Sequence, residues 1–313
     1  MENAFKGVLG IYKNGNYLVT ILKDGTKIRQ TEADEFIPDH PETFDCKITD
    51  CCDGNCIFCY EGCTPKGLHG LLMKDGKPCW KFIENIHPYT EIALNGNDLT
   101  HPDLEDFLRY LKSKKAISNM TVNQKHFMRH YDTLKRWSDE GLIYGLGISL
   151  VDSNNQDFLT KAEHFPNSVI HVINGIVTSD DWDNMDGRKL KFLILGYKNL
   201  QRGIQYLDDN LENIRANQED LQYNLRSIVK TFPVVSFDNL AIKQLDVKRI
   251  LFRNNDEEWN EFFMGDDGNY SLYVDLVKGT FSKNSCMPID ERFPIGDMTL
   301  TDMLAFLKNK YNK

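Results

Sequence analysis

The sequence predicts an α/β fold: a partial (β/α)6 TIM-like barrel with an N-terminal β-hairpin and an α+β C-terminal extension. From Phe44 onward, short apolar runs alternate with helical patterns, the texture of βα units repeated around a parallel sheet. Six such units precede Pro233, too few for the eight of a closed barrel, so the expected barrel is open. The 313 residues, 41% hydrophobic and 27% charged, suffice for a sizeable core and exclude a disordered or low-complexity chain.

Each element has a local reason. Tyr17 to Leu22 is rich in strand formers, Lys27 to Arg29 can pair back on it, and Asp24-Gly25 suits a type I′ turn, so residues 1–43 read as a hairpin region. The barrel strands are expected at Phe44 to Thr49, Glu91 to Asn95, Asn119 to Asn123, Leu142 to Leu150, Ser168 to Val177 and Lys189 to Tyr197. Leu104, Phe107, Leu108 and Leu111 repeat at helical spacing behind Pro102, and a longer apolar stripe predicts a helix from Asp209 to Phe232. The barrel thus occupies residues 44–232. Residues 233–313 add a strand at Val234 to Phe237, a turn at Met264 to Gly268, the alternating Tyr270, Leu272 and Val274, and a helix from Thr299 to Lys308. The hairpin and this C-terminal region are expected to close the barrel edges and shape its opening.

Charge and apolar content narrow the function classes. Lys and Arg number 37 against 46 Asp and Glu, a net charge of −9, which argues against a protein built to grip nucleic acid. No apolar run approaches the roughly 18 residues that span a bilayer, and the start MENAFKGVLG lacks a signal peptide's apolar region. A cytoplasmic protein with no membrane partner is expected.

Six of eight cysteines, at 46, 51, 52, 56, 59 and 63, fall in one short stretch. In a large chain without an export signal this clustering calls for a metal rather than disulfides. Cys52, Cys56 and Cys59 are separated by three and two residues, at the end of the first barrel strand, where α/β folds place their chemistry. Three thiolates can bind three corners of a 4Fe-4S cube and leave its fourth iron open. Cys63 would instead complete a four-cysteine zinc or iron-sulfur site, and the chain would then be a non-catalytic binding protein. Cys46, Cys51, Cys79 and Cys286 read as packed thiols.

The run Cys52-Asp53-Gly54-Asn55-Cys56-Ile57-Phe58-Cys59 resembles the CxxxCxxC signature of the radical S-adenosylmethionine superfamily, with Phe58 as the aromatic residue before the third cysteine. The resemblance implies a 4Fe-4S cluster held by Cys52, Cys56 and Cys59, with S-adenosylmethionine on the open iron. Reductive cleavage of that cofactor to a 5′-deoxyadenosyl radical would then remove hydrogen from a substrate. It also implies sensitivity to oxygen and an external electron donor such as flavodoxin or ferredoxin. Asn95, Gly96, Asn97 and Asp98 stand where the superfamily carries a Gly-Gly-Glu motif that holds the cofactor's amino group, and the departure shortens the acid by one methylene. By the same analogy Ser149, Asn174, Leu195 and Gly196, together with Asn123, are cofactor contacts at later strand ends. Glu61 to Gly70, Phe237 to Leu240 and Met264 to Gly268 are similar to small phage and anaerobe members of unidentified substrate, so a peptide or protein and a nucleotide both stay open. His69, His126 and His171 are candidate acids, bases or substrate contacts.

Overall fold

The computed structural model describes residues 7–95, 99–263 and 265–311. Three antiparallel strands come first, β1 (Val8–Asn14), β2 (Tyr17–Leu22) and β3 (Lys27–Gln30). The expected hairpin therefore gains a strand, β1, whose alternation is interrupted by Gly10 and by a register shift between Val8 and Gly10. The turn also differs: Gly25 alone of the Asp24-Gly25 pair has a positive φ, 93°, so this is a type I turn with a bulge rather than type I′.

The chain then alternates. It runs through β4 (Thr43–Lys47), the small ribbon β5 (Met73–Lys74) and β6 (Lys77–Pro78), α1 (Lys81–Glu84), β7 (Glu91–Asn95), α2 (Leu104–Ser113), β8 (Ile117–Asn123), α3 (Gln124–Arg129) and α4 (Tyr131–Asp139). Next come β9 (Gly145–Ser149), α5 (Gln156–His164), β10 (Ser168–Ile173), α6 (Ser179–Met185), β11 (Lys191–Leu195) and α7 (Arg202–Thr231). Beyond these lie β12 (Val234–Phe237), α8 (Asn239–Leu245), α9 (Val247–Phe252), α10 (Asp256–Phe262), β13 (Ser271–Asp275), β14 (Thr280–Ser282), β15 (Phe293–Pro294) and α11 (Leu300–Tyr311).

All six expected barrel strands are present, but the parallel run is longer. Its order is β12-β11-β10-β9-β8-β7-β4-β13, with antiparallel β14 and β15 beyond β13. The six-stranded expectation is thus corrected to eight parallel strands, because β12 and β13 pair on the flanks through their own apolar alternation. Among the described residues no pairing joins β12 to β15, so the hydrogen-bonded sheet has two ends.

Period-2 alternation decides the two faces of this sheet. Phe44, Cys46, Ile92, Leu94, Met120, Val122, Leu146, Ile148, Ile170, Val172, Phe192 and Ile194 all face the helices and are buried in the main core. The predicted face of α2 meets them, with Leu104, Phe107, Leu108 and Leu111 each at most 1% exposed. Burying each such side chain contributes about 1.5–3 kcal/mol.

The helix expected from Asp209 starts at Arg202 and kinks at Asn210, whose side chain donates to the Tyr206 carbonyl at 3.0 Å. The extra turns carry no apolar stripe, yet they bring Arg202 to the cysteine loop. The three-stranded N-terminal sheet also sits elsewhere than expected. Tyr17, Val19 and Ile21 pack with Ile117, Tyr89, Tyr144 and Tyr270, all at the strands' amino ends, and Lys27 pairs with Glu91 at 2.9 Å. It closes the bottom of the sheet and takes no part in the opening.

At the other end, the segment between β4 and β7 is pinned by charge. Lys47, the last residue of β4, places its ammonium 2.7 Å from Asp50, 2.6 Å from Glu61 and 3.9 Å from Asp275, and Arg292 lies 3.3 Å from Asp275. Lys47, Glu61 and Asp275 are each less than 10% exposed at the side chain. Removing one partner of such a buried group strands the others. Lys47→Met should lower unfolding stability by about 3–5 kcal/mol, measured by denaturant titration; a loss below about 1 kcal/mol would show that the network is solvated.

Candidate functional site

A cavity of about 410 Å³ opens at the carboxyl end of the parallel sheet. Six adjacent strands, β4 and β7 to β11, contribute lining residues. Six strands laid flat span roughly 24 Å, so the sheet must curl to share so small a space. Apart from Val172, the sheet residues that line it come from the face opposite the helices: Asp45, Ala93, Asn95, Thr121, Asn123, Ser149, His171, Ile173, Leu193 and Leu195. A second cavity of about 310 Å³ lies against the N-terminal sheet beside the stacked His40 and His87 rings and is lined by no cysteine.

The cysteine loop forms the roof. Cys52, Cys56, Cys59 and Cys63 all line the cavity, and all eight cysteines are free thiols. Backbone pairing fixes the loop's entry, since Cys52 N donates to the Thr64 carbonyl at 2.9 Å and Thr64 N to the Asp50 carbonyl at 3.0 Å. Arg202 fixes its middle by donating to the carbonyls of Cys56, at 3.1 Å, and Cys63, at 2.9 Å. Asp53 anchors the outer side through His126 at 2.5 Å and Arg129 at 2.7 Å, and those two partners bring its carboxyl down to about 2.

Two sulfurs already accept hydrogen bonds, Cys52 from Gly54 N at 3.3 Å and Cys56 from Asn123 Nδ2 at 3.4 Å. Such N–H···S bonds stabilise thiolates and tune what they bind. The neighbouring Cys59 and Cys63 thiols act on each other, holding Cys59 below the ordinary thiol value and pushing Cys63 above it, while burial raises Cys56. Three clustered thiols with amide donors and a nearby guanidinium suit an iron-sulfur cluster, and the donor set therefore fits that group. Among the described residues no three His, Cys, Asp or Glu side chains converge as a single-ion cage.

The expected cofactor contacts divide. Phe58, Asn95, Ser149, Leu195 and Gly196 line the cavity with the cysteines. Phe58 packs edge-on to Tyr206 with ring centres 5.8 Å apart, and the Gly196 amide donates to Asp238 at 2.9 Å. The structure does not bring Asn174 there: it lies one residue past β10 on the helix side, fully buried, donating to Gln244 at 3.1 Å. Gly96, Asn97 and Asp98 lie outside the described residues. Of the histidines, His69 bonds Thr49 at 2.9 Å and His126 holds Asp53, so His171 alone of the three lines the cavity. Gly147 makes room for it, since a Cβ there would meet the His171 ring at 2.3 Å. Burial and then Lys198 bring the imidazole down to about 4, so it is neutral at pH 7.

Lys198, Arg202 and Asp45 belong to no motif of the sequence, and Asp238 falls within Phe237 to Leu240 without being singled out there. Lys198 donates to Ser285 at 2.9 Å and lies 4.0 Å over the Tyr60 ring. Asp238 caps α8 through Ala241 N at 2.7 Å. Asp45 is open to the cavity, and burial within the curled sheet pushes its carboxyl up to about 6 against the opposing pull of Lys198. A charged residue between Phe44 and Cys46 was the available signal. Because its folded value lies above that of an unfolded aspartate, ionised Asp45 weakens the fold, and the penalty grows from about pH 4 and is complete above about pH 6. Asp45→Asn should therefore raise the thermal midpoint at pH 8 and progressively less toward pH 5. An equal effect at both values would contradict this environment.

No protein-family model matches the chain, and no curated protein matches it. Solved structures do. SuiB of Streptococcus suis bound to S-adenosylmethionine aligns with a TM-score of 0.55 at 11% identity, over 95% of this chain and 86% of that one. SuiB in a second structure gives 0.53 at 12% identity over 90% and 82%, and SuiB bound to the precursor peptide SuiA gives 0.50 at 13% over 87% and 65%. At these identities the likeness is one of fold, and the fold is that of a protein whose structure holds S-adenosylmethionine.

Proposed function

We propose that the chain is a radical S-adenosylmethionine enzyme. The observation that carries this reading is the meeting of Cys52, Cys56, Cys59 and Phe58, spaced as CxxxCxxC, with the strand-end residues Asn95 and Ser149 in one cavity. Fold similarity to an S-adenosylmethionine-bound protein supports it.

In this reading Cys52, Cys56 and Cys59 hold a 4Fe-4S cluster, and Gly54 N and Asn123 Nδ2 stabilise two of the thiolates. When bound, the cluster supplies the electron that cleaves S-adenosylmethionine to methionine and a 5′-deoxyadenosyl radical. Asn95, Ser149 and the strand-end backbone at Gly196 orient the cofactor, with Gly96, Asn97 and Asp98 serving its amino group. Ile173, Leu193 and Leu195 provide an apolar wall that excludes water from the reacting atoms. Asn174 keeps a supporting role through Gln244, which also accepts from Tyr197 N at 2.8 Å.

A peptide is the favoured substrate class, because SuiB binds a precursor peptide. The electron arrives from a small donor of the flavodoxin or ferredoxin kind. Eight free thiols suit a reducing, cytoplasmic setting, and among the described residues no helix is long and apolar enough to cross a membrane.

The Cys63 thiol beside Cys59 favours a second reading, a non-catalytic four-cysteine metal site. Anaerobic reconstitution with iron and sulfide, then dithionite and S-adenosylmethionine, separates the two. The enzyme reading expects 5′-deoxyadenosine and methionine by chromatography, their loss in Cys56→Ala together with the cluster, and a retained cluster in Cys63→Ala. Tight zinc without iron, or equal dependence on Cys63 and Cys59, supports the binding protein instead.

A further inference from the structure

Asp45 stands apart from the other polar groups of the cavity. It lies in the middle of β4, two residues below the strand end, paired in register with Ala93 on one side and Tyr273 on the other. Asn95 and the cysteine loop stand at or beyond the strand ends, so the Asp45 carboxylate sits roughly 7 Å deeper. The neighbouring Ala93 carries only a methyl, which leaves the space before the carboxylate open toward the chamber.

The other charges around it are committed. Glu61 is paired with Lys47, Arg202 holds two loop carbonyls, and Asp267 accepts from Asn239 at 2.6 Å and Asn284 at 2.7 Å. Lys198 is turned to Ser285 and the Tyr60 face. Asp238 lines the same inner end, with one oxygen on the amides of Gly196 and Ala241. Asp45 itself makes no hydrogen bond or ion pair with any described residue. Among the described residues, the lining thus sets the carboxylates of Asp45 and Asp238, with Asp267 close enough to act on Asp45, against the ammonium of Lys198, and of these carboxylates Asp45 is the one without a hydrogen-bond partner.

We propose that Asp45 is the specificity-determining residue of the chamber, receiving an ammonium or guanidinium group of the substrate. The inference rests on the reading of this cavity as a reaction chamber, and adds to it the charge of what enters. A cation there completes the charge balance and regains a charge-assisted hydrogen bond. An anionic substrate would meet repulsion from Asp45 and Asp238. The raised Asp45 value agrees with a carboxylate held ready without a partner, at the expense of stability.

The test is calorimetric titration of the reconstituted full chain, under argon and with S-adenosylmethionine present. The probes are N-acetyl-lysinamide, N-acetyl-argininamide, N-acetyl-norleucinamide and the amide of N-acetyl-glutamate. The lysine or arginine probe should bind at least about tenfold more tightly than norleucine, as one charge-assisted bond implies, and the glutamate probe more weakly still. The better of the two cations identifies the group as ammonium or guanidinium. Asp45→Asn should erase the preference, while Asp45→Glu should retain part of it.

Equal affinity for the norleucine and cationic probes, no binding of either cation, or an unchanged preference in Asp45→Asn overturns the inference. So does a fall in S-adenosylmethionine affinity in Asp45→Asn as large as the fall for the cation, which would assign the carboxylate to the cofactor. Failure of the unmodified protein to cleave S-adenosylmethionine reports separately on the enzymatic reading, because the probes are followed by binding alone.

Discussion

The Lys47 ammonium is the constraint on which the site depends. It ends β4 and is gripped by Asp50, just before the cysteine motif, and by Glu61, just after it. One buried cation thereby closes the loop that carries Cys52, Cys56 and Cys59, and Asp275 of β13 ties the same point to the sheet's far flank. With entry and exit fixed, Arg202 and the Asp53 pairings need only shape the interior of the loop. Burying this many charges costs desolvation, and the network offsets it because each group has a partner. Rigid placement of ligating side chains is what a cofactor site requires.

Strand alternation does the rest. On each barrel strand one set of residues meets the helices and the other meets the chamber, so a single period-2 pattern builds both the core and the site. Small residues on the inner face, Ala93 and Gly147, set the chamber's volume, and Gly147 lets His171 turn inward. The long α7 then serves both roles: its later turns bury Leu221, Leu225 and Ile228, and its first residue reaches the loop.

The same alternation explains how much was legible in advance. The six barrel strands were readable because Phe44, Cys46 and Ile48, and their counterparts on later strands, form apolar sets with clear gaps between them. The cysteine motif was readable because its spacing is local. Asp45 was hidden in the same strand, since an apolar pattern draws attention to the residues facing the core and away from those facing a cavity. Strand parity would have separated Ser149, Asn95 and Leu195, which face inward, from Asn174, which follows the inward Ile173 and turns to the helix side. β1 and the first turns of α7 escaped because neither carries a continuous apolar face. The place of the N-terminal sheet, beneath the strands, depends on contacts such as Tyr144 with the Leu22 carbonyl, 122 residues apart, which no local pattern encodes.

In the proposed enzyme, three cysteines would leave one iron open for S-adenosylmethionine. Electron-nuclear double resonance on the reduced, reconstituted protein tests it most directly, using S-adenosylmethionine labelled with ¹⁵N in its amino group. A hyperfine coupling between that nitrogen and the cluster is the expected result. An intact cluster with no such coupling, its fourth position taken by Cys63, would contradict it.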